Sequence, residues 1–228
     1  MDWQIWLFVI GLGLSLFAQI KVQSSFGRYN RVMARSGYTG FRAARRVLDE
    51  NGLREVDVQR VGGSLTDHYS PREKVLRLSD ATHDSRSVAA IGVALHEVGH
   101  AVQHKEGYFA NKIRSALLLP ANIGSQFGPV LAVAGLLMQS ALGDQLMSIG
   151  ILFFAASVLF YLVTLPVEFN ASRRALAMLS QTGILADDEI RGARKVLSAA
   201  ALTYVASALT AVLYLLRFVA MAGSRRRR

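Results

Sequence analysis

His96, Glu97 and His100 stand in the order H-E-x-x-H within His96-Glu97-Val98-Gly99-His100. On a helix, positions i and i+4 lie one above the other on the same face. Two imidazole nitrogens at that spacing can reach one metal ion, and a carboxylate just after the first can reach a water on that metal. The spacing thus offers two zinc ligands and a general base on one helical turn. It does so only if the surrounding residues are helical, and the run from Ser87 to His104 reads as a helix.

Two histidines are insufficient, because a catalytic zinc normally takes three protein ligands and leaves a fourth position to water. The 228 residues contain no cysteine, so thiolate ligands and a cysteine nucleophile are excluded. The third ligand must be His, Asp or Glu. Glu168, in Pro166-Val167-Glu168-Phe169-Asn170-Ala171-Ser172, is the leading candidate. A carboxylate at the exit of an apolar span is costly unless something holds it. The competing reading is a glutamate near a helix start after Pro166, stabilised by the helix dipole.

His104 shares the face of His96 and His100. Eight residues from His96 amount to ~12 Å along the axis, too far to share one metal. A place behind the ligands or at the surface suits it better, and Asn170 and Ser172 are candidates for the same supporting role. His68 and Tyr69, at the end of Leu65-Thr66-Asp67-His68-Tyr69, could bind substrate or stabilise an oxyanion. His83 carries no pattern. A zinc ion would lower the pKa of a bound water from about 15.7 to about 7. At roughly 1.36 kcal/mol per unit that is about 12 kcal/mol. Glu97 would take the proton as the water attacks a peptide carbonyl, then hand it to the leaving amine.

Elements must position these groups. The composition is 52% hydrophobic, and the apolar residues are clustered, which points to membrane spans. The net charge of +10 arises from 26 Lys+Arg against 16 Asp+Glu. The basic residues flank apolar runs and no nucleic-acid motif appears, so topology and anionic lipid explain the charge. The expected partners are the lipid bilayer and a protein or peptide substrate, without nucleic acid; membrane-protein partners or a homo-oligomer stay open.

Residues 1–20 read as a first, uncleaved span, since Trp3 to Ile20 lacks a basic leader and a cleavage site. Residues 21–113 read as the catalytic domain. Within it, Thr39 to Asn51 reads as a helix with Thr39 as N-cap and Gly52 as stop. Val56 to Val61, Ser64 to Tyr69 and Lys74 to Ser79 read as strands, the last two joined by Ser70-Pro71-Arg72-Glu73. Lys74 to Ser79 could pair with an extended substrate by strand addition.

Residues 114–138 form a second span, interrupted by Pro120, Asn122, Gln126 and Pro129, and 145–165 a third of ~30 Å. Residues 166–197 are a polar helical segment with the third ligand. Residues 198–222 are a fourth span containing Arg217, and 223–228 a basic tail. The expected fold class is a mainly α integral membrane protein. It has about four transmembrane helices and a small α+β zincin-like domain with a short antiparallel sheet and the H-E-x-x-H helix. With four spans, Lys21 and Arg28, Lys112 and Arg114, Arg173 and Arg174, and Arg194 and Lys195 fall on one side. That side is expected to be cytoplasmic, with the catalytic domain there, in a multi-pass protein of the cell membrane. The Arg225 to Arg228 tail runs against this rule and is outweighed by the other charges.

Three blocks carry a resemblance: Val88 to His104 (VAAIGVALHEVGHAVQH), Leu65 to Ser79 (LTDHYSPREKVLRLS) and Pro166 to Leu176 (PVEFNASRRAL). They closely resemble the YugP-type membrane zinc metallopeptidases, a neutral zinc peptidase family of bacteria. The resemblance covers nearly the whole chain, including Thr39 to Leu53. It implies an integral membrane peptidase with one zinc per chain, His96 and His100 as ligands and Glu97 as the catalytic carboxylate. The wider similarity is to gluzincins of the HtpX and Ste24 type, whose later glutamate ligand matches Glu168. Those relatives carry an Asp four residues after that glutamate, where this chain has Ser172. The departure bears on what supports a ligand histidine.

Two other readings compete. A site-2-type intramembrane protease would take an Asp ligand from a Leu-Asp-Gly motif, but only Leu142-Gly143-Asp144 is found, in another order and in an expected loop. A non-catalytic zinc-binding scaffold or adaptor would not need Glu97. Gly124 to Gly128 is a G-x-x-x-G that could support helix association, although ordinary packing within the chain accounts for it as well.

Overall fold

The computed structural model describes residues 3–138 and 140–225. In chain order the elements are α1 (Trp3–Tyr29), α2 (Gly40–Glu50), β1 (Asp57–Val61), β2 (His68–Ser70), β3 (Val75–Ser79), α3 (Val88–Lys105), α4 (Phe109–Leu137), α5 (Ala141–Thr182) and α6 (Asp187–Arg225). Local signals set the ends of the two short helices. The Thr39 hydroxyl accepts the Arg42 N–H at 3.1 Å and starts α2, and Gly52, at φ +65°, follows its end. Ser87 caps α3 in the same way, accepting the Ala90 N–H at 3.1 Å.

The sheet is mixed, in the order β1-β3-β2, and this corrects the expected antiparallel sheet. β1 runs parallel to β3, whereas β2 pairs antiparallel with it, placing His68 opposite Arg77 and Ser70 opposite Val75. Val75, Leu76, Leu78 and Ser79 are buried from both faces, which suits a central strand. The strand expected from Ser64 shortens to His68–Ser70 for a local reason. The Asp67 carboxylate accepts the backbone N–H of Ser79 at 2.8 Å and its hydroxyl at 2.9 Å, replacing ladder bonds there. Gly63 and Leu65 also take positive φ. Because β3 is central, it cannot receive a substrate strand; the outer edges of the sheet are those of β1 and β2.

The chain forms two compact units. One contains Gln19–Tyr108 and Val167–Leu202, hence α2, the sheet, α3 and the adjoining stretches of α1, α5 and α6. Its core is made by Val47 and Leu48 of α2, Leu76 and Leu78 of β3, Ile91, Leu95 and Val98 of α3, and Leu179 and Ala193. The amphipathic face of α2 and the apolar stripe of α3 meet there, and burying each such large side chain contributes roughly 1.5–3 kcal/mol.

The other unit takes the chain up to Ala18, Phe109–Pro166 and the chain from Thr203. Helices α1, α4, α5 and α6 are each long and apolar enough to cross a membrane. Pro120 and Pro129 lie inside α4 and Pro166 inside α5 without ending either helix, so the expected interruptions do not occur. Neighbouring helices can make up for the missing backbone donor. α5 is 42 residues long, about 63 Å, which exceeds the ~30 Å hydrocarbon thickness. No helix starts at Pro166, which removes the reading of Glu168 as a residue at a helix start. Leu142, Gly143 and Asp144 lie in the first turn of α5 rather than in a loop, and Asp144 suits the positive end of that helix. The basic tail beyond Arg225 lies outside the described residues.

The G-x-x-x-G of α4 packs within the chain. A Cβ at Gly124 would fall 2.0 Å from the Phe153 carbonyl oxygen, and one at Gly128 2.8 Å from the Phe154 nitrogen. The Ser157 hydroxyl donates to the Ala121 carbonyl at 2.8 Å across the same contact. Leu119, Phe127, Val130 and Leu152 point outward and are exposed, the surface that acyl chains would cover. Gly124→Ala is expected to lose about 1–3 kcal/mol by overpacking, read as a lower Tm of the detergent-solubilised protein. Gly13→Ala, where a Cβ meets nothing within 4 Å, serves as the comparison and should not lower it.

Candidate metal centre

Two helices build the site inside the unit formed by Gln19–Tyr108 and Val167–Leu202. α3 supplies His96, Glu97 and His100, and α5 supplies Glu168, Asn170 and Ser172. Their backbones approach closely at Gly99, where a Cβ would lie 2.7 Å from the Ala171 carbonyl oxygen. Any side chain at Gly99 would push the helices apart. The glycine within H-E-V-G-H therefore matters for position as much as the histidines do for chemistry.

The three candidate ligand atoms form a small triangle. His96 Nε2 lies 3.2 Å from Glu168 Oε2 and 3.2 Å from His100 Nε2. His100 Nε2 lies 3.5 Å from the same carboxylate oxygen. Zinc bonds of about 2.0–2.2 Å in a tetrahedral arrangement imply ligand–ligand edges of about 3.3–3.6 Å. The residues present therefore fit a zinc ion. Among the described residues this is the group of His, Asp and Glu side chains close enough together to hold a metal.

Glu168 is 2% exposed. A buried carboxylate is costly unless a positive partner offsets its lost hydration. Without metal, a proton held by His100 would supply that charge. Burial alone would lower the His100 pKa, but the hydrogen bond His100 donates to Glu168 and the Glu97 charge outweigh it, and the net shift is upward. Zinc has to displace that proton, so loading weakens as pH falls, beginning above the ordinary histidine range.

The distal nitrogens of both imidazoles are also held. His100 Nδ1 lies 3.0 Å from Gln103 Oε1. Gln103 is fully buried, and its amide nitrogen donates to the Val167 carbonyl at 2.8 Å and to Asn170 Oδ1 at 2.9 Å. A carbonyl can only accept, so this bond fixes which end of the Gln103 amide faces His100. His100 must then donate from Nδ1, which leaves the Nε2 lone pair for a metal. Arg174 extends the chain of contacts, donating to Asn170 Oδ1 at 2.7 Å and to both oxygens of Glu106 at 3.0 and 2.6 Å. On the other histidine, Ser172 Oγ lies 3.1 Å from His96 Nδ1. A neutral hydroxyl thus serves the nitrogen whose support the loss of an Asp had called into question.

The remaining candidates lie apart from this triangle. Tyr69 and His104 pair with each other, hydroxyl to Nδ1, at 3.0 Å. Burial pushes the Tyr69 phenol up, with the Glu55 charge adding to it, so it stays a donor at neutral pH. His68 turns its Nδ1 to the Thr66 carbonyl at 2.9 Å. Glu97 is 8% exposed and makes no hydrogen bond among the described residues, yet its oxygens are not sealed from solvent. Gln103, Arg174 and Glu106 escape the reading of the sequence. For Gln103 a signal exists, since it stands three residues after His100 on the same face.

A family model described as "putative neutral zinc metallopeptidase" matches residues 4–223. The chain belongs to this family. It is 50% identical over 215 residues to the "Putative membrane protease YugP" of Bacillus subtilis (strain 168), an alignment covering 94% of each chain. No solved structure matches. The family brings zinc as the metal, and the His96–His100–Glu168 cluster could bind it. Four membrane-length apolar helices, with a relative named a membrane protease, mark this family member as a membrane protein.

Gln103→Ala is expected to lower zinc affinity about 10–100-fold, the usual cost of losing a partner of a ligand histidine. Competition against a chromophoric chelator measures it. Unchanged affinity would mean that Gln103 does not set the His100 tautomer.

Proposed function

We propose that this protein is a membrane zinc metalloendopeptidase acting on unfolded or membrane-associated polypeptides at the cytoplasmic face of the cell membrane. The observation that carries the reading is the triangle of His96 Nε2, His100 Nε2 and Glu168 Oε2 with Glu97 beside it on the same helical turn. His96, His100 and Glu168 would hold one zinc, which when bound makes water more acidic and polarises a carbonyl oxygen. Glu97, free of competing hydrogen bonds among the described residues, takes the proton from the attacking water and returns it to the leaving amine nitrogen. Gln103 and Ser172 keep the imidazoles oriented through that transfer.

The open edge of β2 gives an extended substrate a place to add as a strand. Tyr69, which lies on β2 and is bonded to His104 of α3, ties that edge to the helix of the site. Tyr69 and His68 are the side chains we assign to substrate contact. The cytoplasmic side is supported by the basic flanks Lys21, Arg28, Lys112, Arg114, Arg173, Arg174, Arg194 and Lys195, of which all but Lys112 and Arg114 belong to the unit that carries the site. A scaffold that only retained a metal would have no use for Glu97, and Asp144 has no place in the metal-binding cluster among the described residues.

Glu97→Gln is expected to keep one zinc per chain and to lose cleavage of an unfolded reporter protein by about 10²–10⁴-fold. Full activity in that variant would refute the role of Glu97. Glu168→Ala should lose zinc as measured by metal analysis after dialysis; retention at the wild-type level would remove Glu168 from the ligand set. A zinc-loaded wild type that cleaves no unfolded or membrane-linked polypeptide would favour the scaffold.

A further inference from the structure

Away from the metal centre, α1 and α6 line an open, solvent-exposed groove of about 670 Å³. Lys21 and Arg28 of α1 and Arg194 and Lys195 of α6 line it, together with the hydroxyls of Ser24 and Ser198. No carboxylate lines it. Elsewhere in the same unit cations are matched by acids: Arg35 with Asp188, Arg45 with Asp49, Arg60 with Asp80, Arg174 with Glu106. Among the described residues the four cations of the groove make no ion pair. Four like charges brought together without counter-charges repel one another, and an anion between them removes that cost.

The position names the anion. α1 is apolar up to Ile20, which is 65% exposed, and turns basic at Lys21. α6 does the reverse, basic at Arg194 and Lys195 and apolar from Ala199. Ala199 and Leu202 line the apolar end of the same groove. Along α6 the cations Arg194 and Lys195, the hydroxyl of Ser198 and then apolar Ala199 and Leu202 follow one another in the order of a phospholipid's headgroup and acyl chains, and on α1 the basic stretch from Lys21 to Arg28 adjoins apolar Ile20.

We propose that this groove binds the phosphodiester headgroup of an anionic phospholipid. Arg28 and Arg194 supply forked N–H donors to phosphate oxygens, Lys21 and Lys195 add charge, and Ser198 donates a hydroxyl bond, the Ser24 hydroxyl being given to the Lys21 carbonyl. The site is independent of peptide cleavage and would persist in a protein without activity.

The test uses the full chain in detergent micelles, titrated with dioleoylphosphatidylglycerol, dioleoylphosphatidylcholine or inorganic phosphate, with binding read by native mass spectrometry and Tm. Phosphatidylglycerol is expected to bind and raise Tm, and the other two are not. Arg28→Ala/Arg194→Ala should weaken that binding about 30-fold, from roughly 1 kcal/mol per cation near an anionic lipid. Lys21→Gln/Lys195→Gln should weaken it similarly, which guards against a folding defect in either pair. Arg54→Ala/Arg72→Ala, the same charge change at exposed positions outside the groove, should bind as the wild type does. Equal binding of the two lipids, equal loss in the Arg54/Arg72 variant, or the same stabilisation by inorganic phosphate would overturn the proposal.

Discussion

The contact of α3 with α5 at Gly99 is the constraint on which the metal centre depends. A Cβ there would stand 2.7 Å from the Ala171 carbonyl oxygen, so the helices meet backbone to backbone. Only at that separation can a carboxylate on α5 sit 3.2 Å from an imidazole on α3. Small residues continue along α3. A Cβ at Gly92 would lie 3.2 Å from Ala193 Cβ of α6, and Ala94 and Ala101 are fully buried. α3 is thus held between α2 and the sheet on one side and α5 and α6 on the other, all within one unit. Its large apolar residues, Ile91, Leu95 and Val98, supply burial energy, and its glycines supply proximity.

Proximity then creates an electrostatic demand. Bringing Glu168 to 2% exposure between two imidazoles leaves a charge that water no longer stabilises. A proton on His100 answers part of that demand, and a divalent cation would meet it better. The network behind the histidines decides which nitrogen is offered. Val167 accepts from Gln103, Gln103 accepts from His100, and so His100 Nε2 faces the cluster. Val167 and Glu168 are consecutive on α5, so the helix that places the carboxylate also fixes the amide that orients the opposing histidine. That coupling makes the site a property of the helix pair rather than of any single ligand.

Much of this was legible in the sequence, because it rested on short-range chemistry. H-E-x-x-H on a helix, Thr39 as a cap, Gly52 as a stop and the apolar runs of four helices are all local patterns. Glu168 stood out in the sequence for a different reason, as a carboxylate where an apolar span ends, and the structure brings it beside His96 and His100. What escaped depended on partners distant in sequence. The parallel pairing of β1 with β3 needs a crossover that periodicity does not reveal. The shortening of β2 depends on one side chain, Asp67, capturing Ser79. Pro166 reads as a break in isolation, yet α5 continues through it. Gln103 reads as an ordinary polar residue until α5 lies against it.

Two helices, joined by a glycine contact, converge three side chains that could hold one metal ion. An anomalous difference map at the zinc edge, from crystals of the zinc-loaded protein, addresses that claim most directly. It should show one peak about 2.0–2.2 Å from His96 Nε2, His100 Nε2 and the Glu168 carboxylate. A peak elsewhere, or one bound by the histidines with Glu168 outside its coordination sphere, would contradict the account.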